Sequence, residues 1–362
     1  LVFRTFFIKG VLDMHHNPKV LSIKENTNMT THERERGRVR LYACGGGGIN
    51  MGHKIDHVIH QDADDGFAEL DVVYIDTSKS NLHADIVAES VYLIEGLDGS
   101  GQVRRENHAA IAERVRDILQ TFKPVDLNIV LSTGGGGSGS VIAPSIVSEL
   151  LAKDYPTVVL CIGDDSTKKY TENTLNTLKS YDQIATTVRQ KPVIMSYLQN
   201  SPDMTRPVVD QRIQHLVLAL CLLFSRRNRE LDSKDLYNWL HYPKVTSYKP
   251  ALTSLSLVEG LNSASLAKLG NLISIATLTV QGGETALPIR PEVQYIGYID
   301  EDIKQLSDAV AFHYVTSDGI FDEVASQLNA VLREMEDQTA ARLKKGGISS
   351  SADQATDTGL VL

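Results

Sequence analysis

Leu127-Asn128-Ile129-Val130-Leu131-Ser132-Thr133-Gly134-Gly135-Gly136-Gly137-Ser138-Gly139-Ser140 reads as an apolar strand running into a glycine loop with hydroxyls at its far end. Glycine lets backbone approach an anion closely and lets successive N–H groups point into one concavity. A helix starting there adds the positive end of its dipole, which makes the loop a candidate phosphate cradle. The same pattern stands upstream, where Val39-Arg40-Leu41-Tyr42-Ala43-Cys44 leads into Gly45-Gly46-Gly47-Gly48-Ile49-Asn50. Two cradles on one sheet predict a nucleotide gripped from both sides.

Outward from these runs, strand-like and helix-like segments alternate. Apolar stretches at 39–44, 71–75, 127–131, 157–161 and 193–197 read as buried parallel strands. Between them lie helical patterns such as Glu106–Phe122, with Ala109, Ile111, Val115, Ile118 and Leu119 on one face. The alternation predicts an α/β fold with a doubly wound parallel sheet and a ligand at the carboxyl ends of its strands, where both glycine runs fall. Asp203–Asn228 reads as a long helix that is apolar all round through Leu216–Phe224, hence buried. Beyond it, β-rich stretches at 251–258, 272–280, 293–299 and 311–316 and a last helix from Ile320 predict a smaller α+β domain. The expected division is an N-terminal extension at 1–37, a nucleotide-binding domain at 38–200, a central helix at 201–230, a catalytic loop and C-terminal domain at 231–345, and a flexible tail at 346–362.

Composition narrows the class. The chain has 362 residues, 42% of them apolar, enough for two cores. Its net charge of −9 argues against a nucleic-acid surface, and no apolar stretch is long enough to span a bilayer. A cytoplasmic protein is expected. Cys44, Cys161 and Cys221 read as small buried hydrophobes, and the 11 histidines show no metal-binding spacing, so no metal residue is assigned. Arg104-Arg105 and Arg226-Arg227-Asn228-Arg229 read as solvated faces or subunit contacts.

Other nucleotide loops fit poorly. A dinucleotide loop needs GxGxxG, but the register from Gly45 meets Asn50 and that from Gly46 meets Met51 at the last glycine. A P-loop fails because Gly52 is followed by His53 where lysine is required. Without that lysine, backbone N–H groups, hydroxyls and a metal must neutralise the phosphates.

Gly135-Gly136-Gly137-Ser138-Gly139-Ser140 resembles the signature loop of the tubulin/FtsZ family of GTPases, usually written GGGTG(S/T)G. Ser138 replaces the threonine and keeps its hydroxyl, while Val141 replaces the last glycine. Gly46-Gly47-Gly48-Ile49-Asn50 is similar to the family's opening loop. Ile75-Asp76-Thr77-Ser78 stands where the family contacts phosphate and Mg²⁺, and Gly96-Leu97-Asp98-Gly99-Ser100-Gly101 looks like the loop that senses the γ-phosphate. Leu231-Asp232-Ser233-Lys234-Asp235-Leu236 resembles the catalytic loop, LDxxD followed by Val or Leu. The resemblance covers roughly residues 38–340 and is strongest to the shorter phage-encoded tubulins, the PhuZ group. One departure is that only ten positions separate Asn200 from Asp210, where relatives insert a further short helix.

The resemblance implies GTP and Mg²⁺ as cofactors. Gly46, Gly47, Gly48, Asn50, Asp76, Thr77, Gly99, Gly101, Gly135, Gly136, Gly137, Ser138, Gly139 and Ser140 would hold phosphate, Asn200 would contact the base, and Glu172 is a candidate for the ribose. Asp210, near a purine pocket, can accept hydrogen bonds from the guanine N1–H and amine, which adenine does not offer as a pair. Asp232 and Asp235 are the catalytic candidates. They also read as an N-cap and a first-turn acid, a role compatible with catalysis. The implied partner is the chain itself, in a head-to-tail filament that hydrolyses GTP at each interface, with a DNA-bearing cargo or adaptor as a further partner and host cytoplasm as the compartment. The alternatives are a bacterial or plasmid filament protein for division or DNA segregation, a nucleotide-binding filament with weak turnover, and, remotely, a dinucleotide-dependent oxidoreductase.

Overall fold

A computed structural model describes residues 35–62, 66–97, 99–105, 107–201, 203–260, 269–280, 290–299, 306–307 and 309–344. All of the expected extension before Glu35, Asp98, and the expected tail at 346–362 lie outside the described residues.

The first half alternates as its sequence predicts. Strands β1 (Arg38–Cys44), β2 (Glu69–Asp76), β3 (Val91–Leu93), β4 (Leu127–Thr133), β5 (Thr157–Asp164) and β6 (Val193–Asn200) are all parallel. Helices α1 (Gly45–Asp62), α2 (His108–Thr121), α3 (Gly139–Ala152) and α4 (Lys168–Gln183) fall between them. Next come α5 (Arg206–Leu223), the short α6 (Ser233–Leu240), strands β7 (Leu252–Glu259), β8 (Asn271–Val280), β9 (Val293–Ile299) and β10 (Ala311–Asp318), and α7 (Ile320–Lys344).

Among the described residues, these strands form one ten-stranded sheet in the order β3-β2-β1-β4-β5-β6-β7-β10-β8-β9. Only β10 runs antiparallel to its neighbours. Strands from either side of the expected domain division therefore share one sheet. They join at a narrow seam: β6 and β7 pair only through Val193–Leu252, Ile194–Thr253 and Met195–Ser254. Past that seam the strands border an open cleft of about 770 Å³ lined by Tyr197, Leu198, His215 and Leu257.

Alternate residues of each strand feed separate cores on the two faces, because strand side chains point to opposite sides in turn. In β1, Val39, Leu41 and Ala43 join α1, α5 and α6, whereas Tyr42 and Cys44 join α2, α3 and α4. The long apolar helix is buried as its composition requires, with Val209, Ile213, Leu216, Val217 and Ala219 through Leu223 out of solvent. Tyr314 in β10 donates its hydroxyl to Ala219 O at 2.6 Å, tying that helix to the sheet. All three cysteines are buried and free, and burial pushes the Cys161 and Cys221 thiols up to about 12. No helix among the described residues is long and apolar enough to cross a membrane.

Candidate functional site

Strand order reverses between β1 and β4, and each of these strands ends in a glycine-opened helix. Such a crevice at the carboxyl ends of parallel strands is where open α/β sheets bind ligands. The first run is not a loop, as its composition predicts, but the opening turn of α1 itself. Gly45 has φ +70°, and a Cβ there would lie 2.5 Å from Gly139 N. The two helix starts are thus in backbone contact, and both present positive dipole ends to one crevice.

The loops beside this crevice are cross-tied. Asp76, at the end of β2, is 2% exposed, accepts Thr77 N–H at 2.7 Å and Asn81 Nδ2 at 2.9 Å. Burial raises its carboxyl pKa, against those donors. The Thr77 and Ser138 hydroxyls meet at 2.8 Å, and Ser138 Oγ donates to Ser100 Oγ at 3.4 Å. Asn107 holds Gly99 O at 2.6 Å, and Gly101 follows with φ +51°. A Cβ on Gly137 would collide with Ser100 Oγ, so these two loops require glycine there to close.

A cavity of about 310 Å³ opens beside the cradle, lined among others by Gly47, Asn50, Gly135, Gly136, Asn200 and Asp210. Asn200 lines the cavity, and its Oδ1 is buried with no hydrogen-bond partner. The short connection between Asn200 and Asp210 therefore does not separate them. Lys54, Tyr170 and Arg206 also line the cavity and were not singled out by the sequence. Lys54 Nζ reaches Asp210 Oδ2 at 2.6 Å, so that carboxylate already has a cation beside it.

Other expected residues stand apart from the cavity. Ser140 is fully buried and donates its hydroxyl to Gly137 O at 2.9 Å, shaping the loop from behind rather than facing a ligand. Glu172 sits on α4 outside the cavity lining, which that helix supplies through Tyr170 instead. Gly46 packs on the Asn81 carboxamide and Gly48 on Leu131 O. Arg104 is not a solvated surface cation: it bonds Asn173 O at 3.3 Å, Ser180 Oγ at 3.0 Å and the Thr177 hydroxyl, clamping the segment after Gly101 to α4.

Asp232 is exposed, Asp235 is half-buried, and the two form a capping box at the start of α6. Asp232 Oδ1 accepts from Lys234 N at 2.7 Å and Asp235 N at 2.9 Å, and Asp235 Oδ2 accepts from Asp232 N at 3.2 Å. They follow the far end of α5. That helix starts at the cavity with Arg206 and Asp210 and ends where Ser225 O accepts from Gly37 N, at the opposite end of β1. Its 18 residues span about 27 Å. Cradle and acid pair thus lie beyond opposite ends of α5.

One expectation is overturned. The histidines are not all scattered: His53 and His57 on α1 meet His83 and Asp85 from the loop after β2. The pairing of β1 with β2 brings these segments together across about thirty positions of sequence, a distance that no local spacing reveals.

No protein-family model matches the chain. A phage tubulin-like protein from Pseudomonas phage PhiPA3 is 29% identical over 330 residues, which cover 90% of this chain and 99% of that one. The solved protofilament of TubZ from bacteriophage PhiKZ superposes with a TM-score of 0.75 at 27% identity, over 90% of this chain and 99% of that one. The phage tubulin PhuZ, solved with GDP, gives a TM-score of 0.75 at 22% identity over the same shares. With the switch-point cradle and the order of the loops around it, these likenesses agree: the chain is similar in sequence and fold to phage tubulin-like proteins.

Proposed function

We propose that this chain is a filament-forming GTPase whose hydrolytic site is completed only when two copies stack head to tail. The observation that carries the reading is the placement of the cradle at one end of α5 and the Asp232/Asp235 pair beyond the other. A chain whose two half-sites lie at opposite ends completes neither alone. Stacking by translation joins the acid pair of one copy to the cradle of the next, and such a heterologous contact extends as a filament. The protofilament and GDP-bound forms of the similar phage proteins support this reading.

In the proposed complex the N–H groups at the starts of α1 and α3 hold the phosphates, and Asn200 Oδ1 accepts from the base. Guanine offers N1–H and an amine at that edge; adenine does not, and would leave the buried oxygen unsatisfied at a cost of about 1–3 kcal/mol. Asp76, buried beside the Thr77 and Ser138 hydroxyls, would hold Mg²⁺, which would supply charge neutralisation at the phosphates. The partner copy's acid pair would orient the attacking water, a role of positioning rather than covalent chemistry. Within an infected bacterium, such a filament would work in the host cytoplasm, and positioning phage DNA is the cellular role proposed for it. The test is steady-state GTP turnover against protein concentration, alongside competition of GTP binding by ATP and NAD. Turnover per chain should rise with concentration and ATP should compete poorly. Equal competition by ATP, or constant activity per chain, would overturn the proposal.

A further inference from the structure

His53 and His57 lie one turn apart on α1, and their Nε2 atoms face each other at 3.1 Å. Both also face the Asp85 carboxylate, at 2.9 Å from His53 and 3.0 Å from His57. With Asp85 ionised, no arrangement of protons makes full hydrogen bonds of all three contacts. If both rings donate to Asp85, their N–H groups converge on one carboxylate oxygen and leave the two nitrogens 3.1 Å apart with no hydrogen bond between them. If one ring donates to the other, a bare ring nitrogen faces a carboxylate oxygen. A cation placed among the three atoms removes the conflict, because both nitrogens then offer lone pairs to it. Donors around a tetrahedral Zn²⁺ with bonds of about 2.0–2.1 Å stand about 3.3 Å apart, a few tenths of an ångström from the spacing here.

The surroundings favour the same reading. His83 stacks on His53 with ring centroids 4.1 Å apart and planes 5° from parallel, and its ring nitrogens supply a fourth donor within reach. Two imidazoles at i and i+4 on a helix with a carboxylate from a neighbouring loop suit a borderline ion, whereas Mg²⁺ and Ca²⁺ prefer all-oxygen shells. We infer that His53, His57 and Asp85, with His83 as the adjoining fourth donor, form a binding site for a divalent transition ion of the Zn²⁺ class, separate from the nucleotide cavity. A hydrogen bond between a His83 ring nitrogen and Asn50 Oδ1 at 2.8 Å joins it to the cavity lining.

The experiment uses untagged full-length chain, stripped by chelator and free of nucleotide and Mg²⁺, titrated with Zn²⁺ in a calorimeter and with Co²⁺ by visible absorption. One equivalent should bind with a Kd on the order of micromolar or tighter, and Co²⁺ should show the intense bands of four-coordination. His57→Gln and Asp85→Asn alter exposed side chains and leave the core intact. Each should weaken binding at least about tenfold, and His53→Gln/His57→Gln should abolish it. His108→Gln, an exposed histidine elsewhere, should bind as the native chain does. Substoichiometric uptake, or equal affinity in the double variant, would show hydrogen-bonded histidines and an adventitious ion only. GTP binding measured on the same stripped samples keeps the two proposals separable, since neither outcome depends on the other.

Discussion

If the cavity reads a base as proposed, Asn200 and Asp210 divide that work unequally. Asn200 Oδ1 has no partner, while Asp210 already holds Lys54. Asn200→Ala should therefore cost more selectivity than Asp210→Asn. Titration with a fluorescent GTP analogue, competed by GTP and ATP, should show GTP affinity falling about tenfold in Asn200→Ala with ATP nearly unchanged. Undiminished preference for GTP would remove Asn200 from the base contact. A second residue-scale expectation concerns stability. His313 is fully buried on β10, bonds Thr277 Oγ1 at 3.0 Å, and has no partner at Nε2. Burial lowers its pKa to about 4, below the ordinary histidine value. Its unfolded form gains a proton between pH 6.5 and 4 while the folded form stays neutral, so its contribution is present above pH 6.5 and is lost as pH falls towards 4. The loss should amount to about 2–3 kcal/mol in urea unfolding curves compared at those two pH values. His313→Asn should flatten that dependence.

At the scale of elements, the two glycine runs and the strands feeding them were legible because glycine after a buried apolar run punctuates the chain unmistakably. The same runs hid a detail: α1 begins at Gly45, although glycine is a poor helix former. The close backbone contact between Gly45 and Gly139 overrides that preference. Asp232 and Asp235 were legible twice over, as a family loop and as a helix cap, and their hydrogen bonds confirm the cap. Lys54, Tyr170 and Arg206 were not legible, since each is a lone polar residue on a helix whose meaning comes from what faces it. The insertion of β10 between β7 and β8 was equally hidden, because strand order is a long-range pairing that no local pattern encodes. The prediction at this scale concerns the joint between the 134–139 loop and the 99–101 loop. Gly137→Val should displace Ser100 and bring a Cβ within 2.9 Å of Gln102 Cα. Nucleotide binding should be lost and stability reduced by about 1–3 kcal/mol, with a native circular dichroism spectrum. Gly66→Ala, where a Cβ meets open space, should change neither. Normal binding by Gly137→Val would show that closure of these loops is irrelevant to the ligand.

For the whole molecule, the decisive test is catalysis in trans. Asp235→Asn keeps an acceptor for the cap, whereas alanine would also remove a capping contact worth about 1 kcal/mol. The asparagine variant should bind GTP normally and form filaments that persist, with turnover reduced on the order of 10²-fold. Mixed with Gly137→Val, it should regain part of that turnover, because one type of contact unites its sound cradle with the other's sound acid pair. Phosphate release from the mixture, no greater than the sum of the separate variants, would count against a shared site.

The seam in the sheet has a mechanical consequence. Three residue pairs, 193–195 against 252–254, carry the whole ladder between β6 and β7, and the strands splay into a cleft on the side of Asn200. A plate slit almost to one edge bends about the uncut strip. Stiffness is therefore lowest about that strip, and α5, lying along the slit with His215 and Leu216 at the cleft wall, acts as the brace across it. Any load that opens the slit is shared between a three-rung pivot and a single helix, and the cavity lined by Asn200 sits at the mouth of the slit, where a small angular change produces the largest displacement.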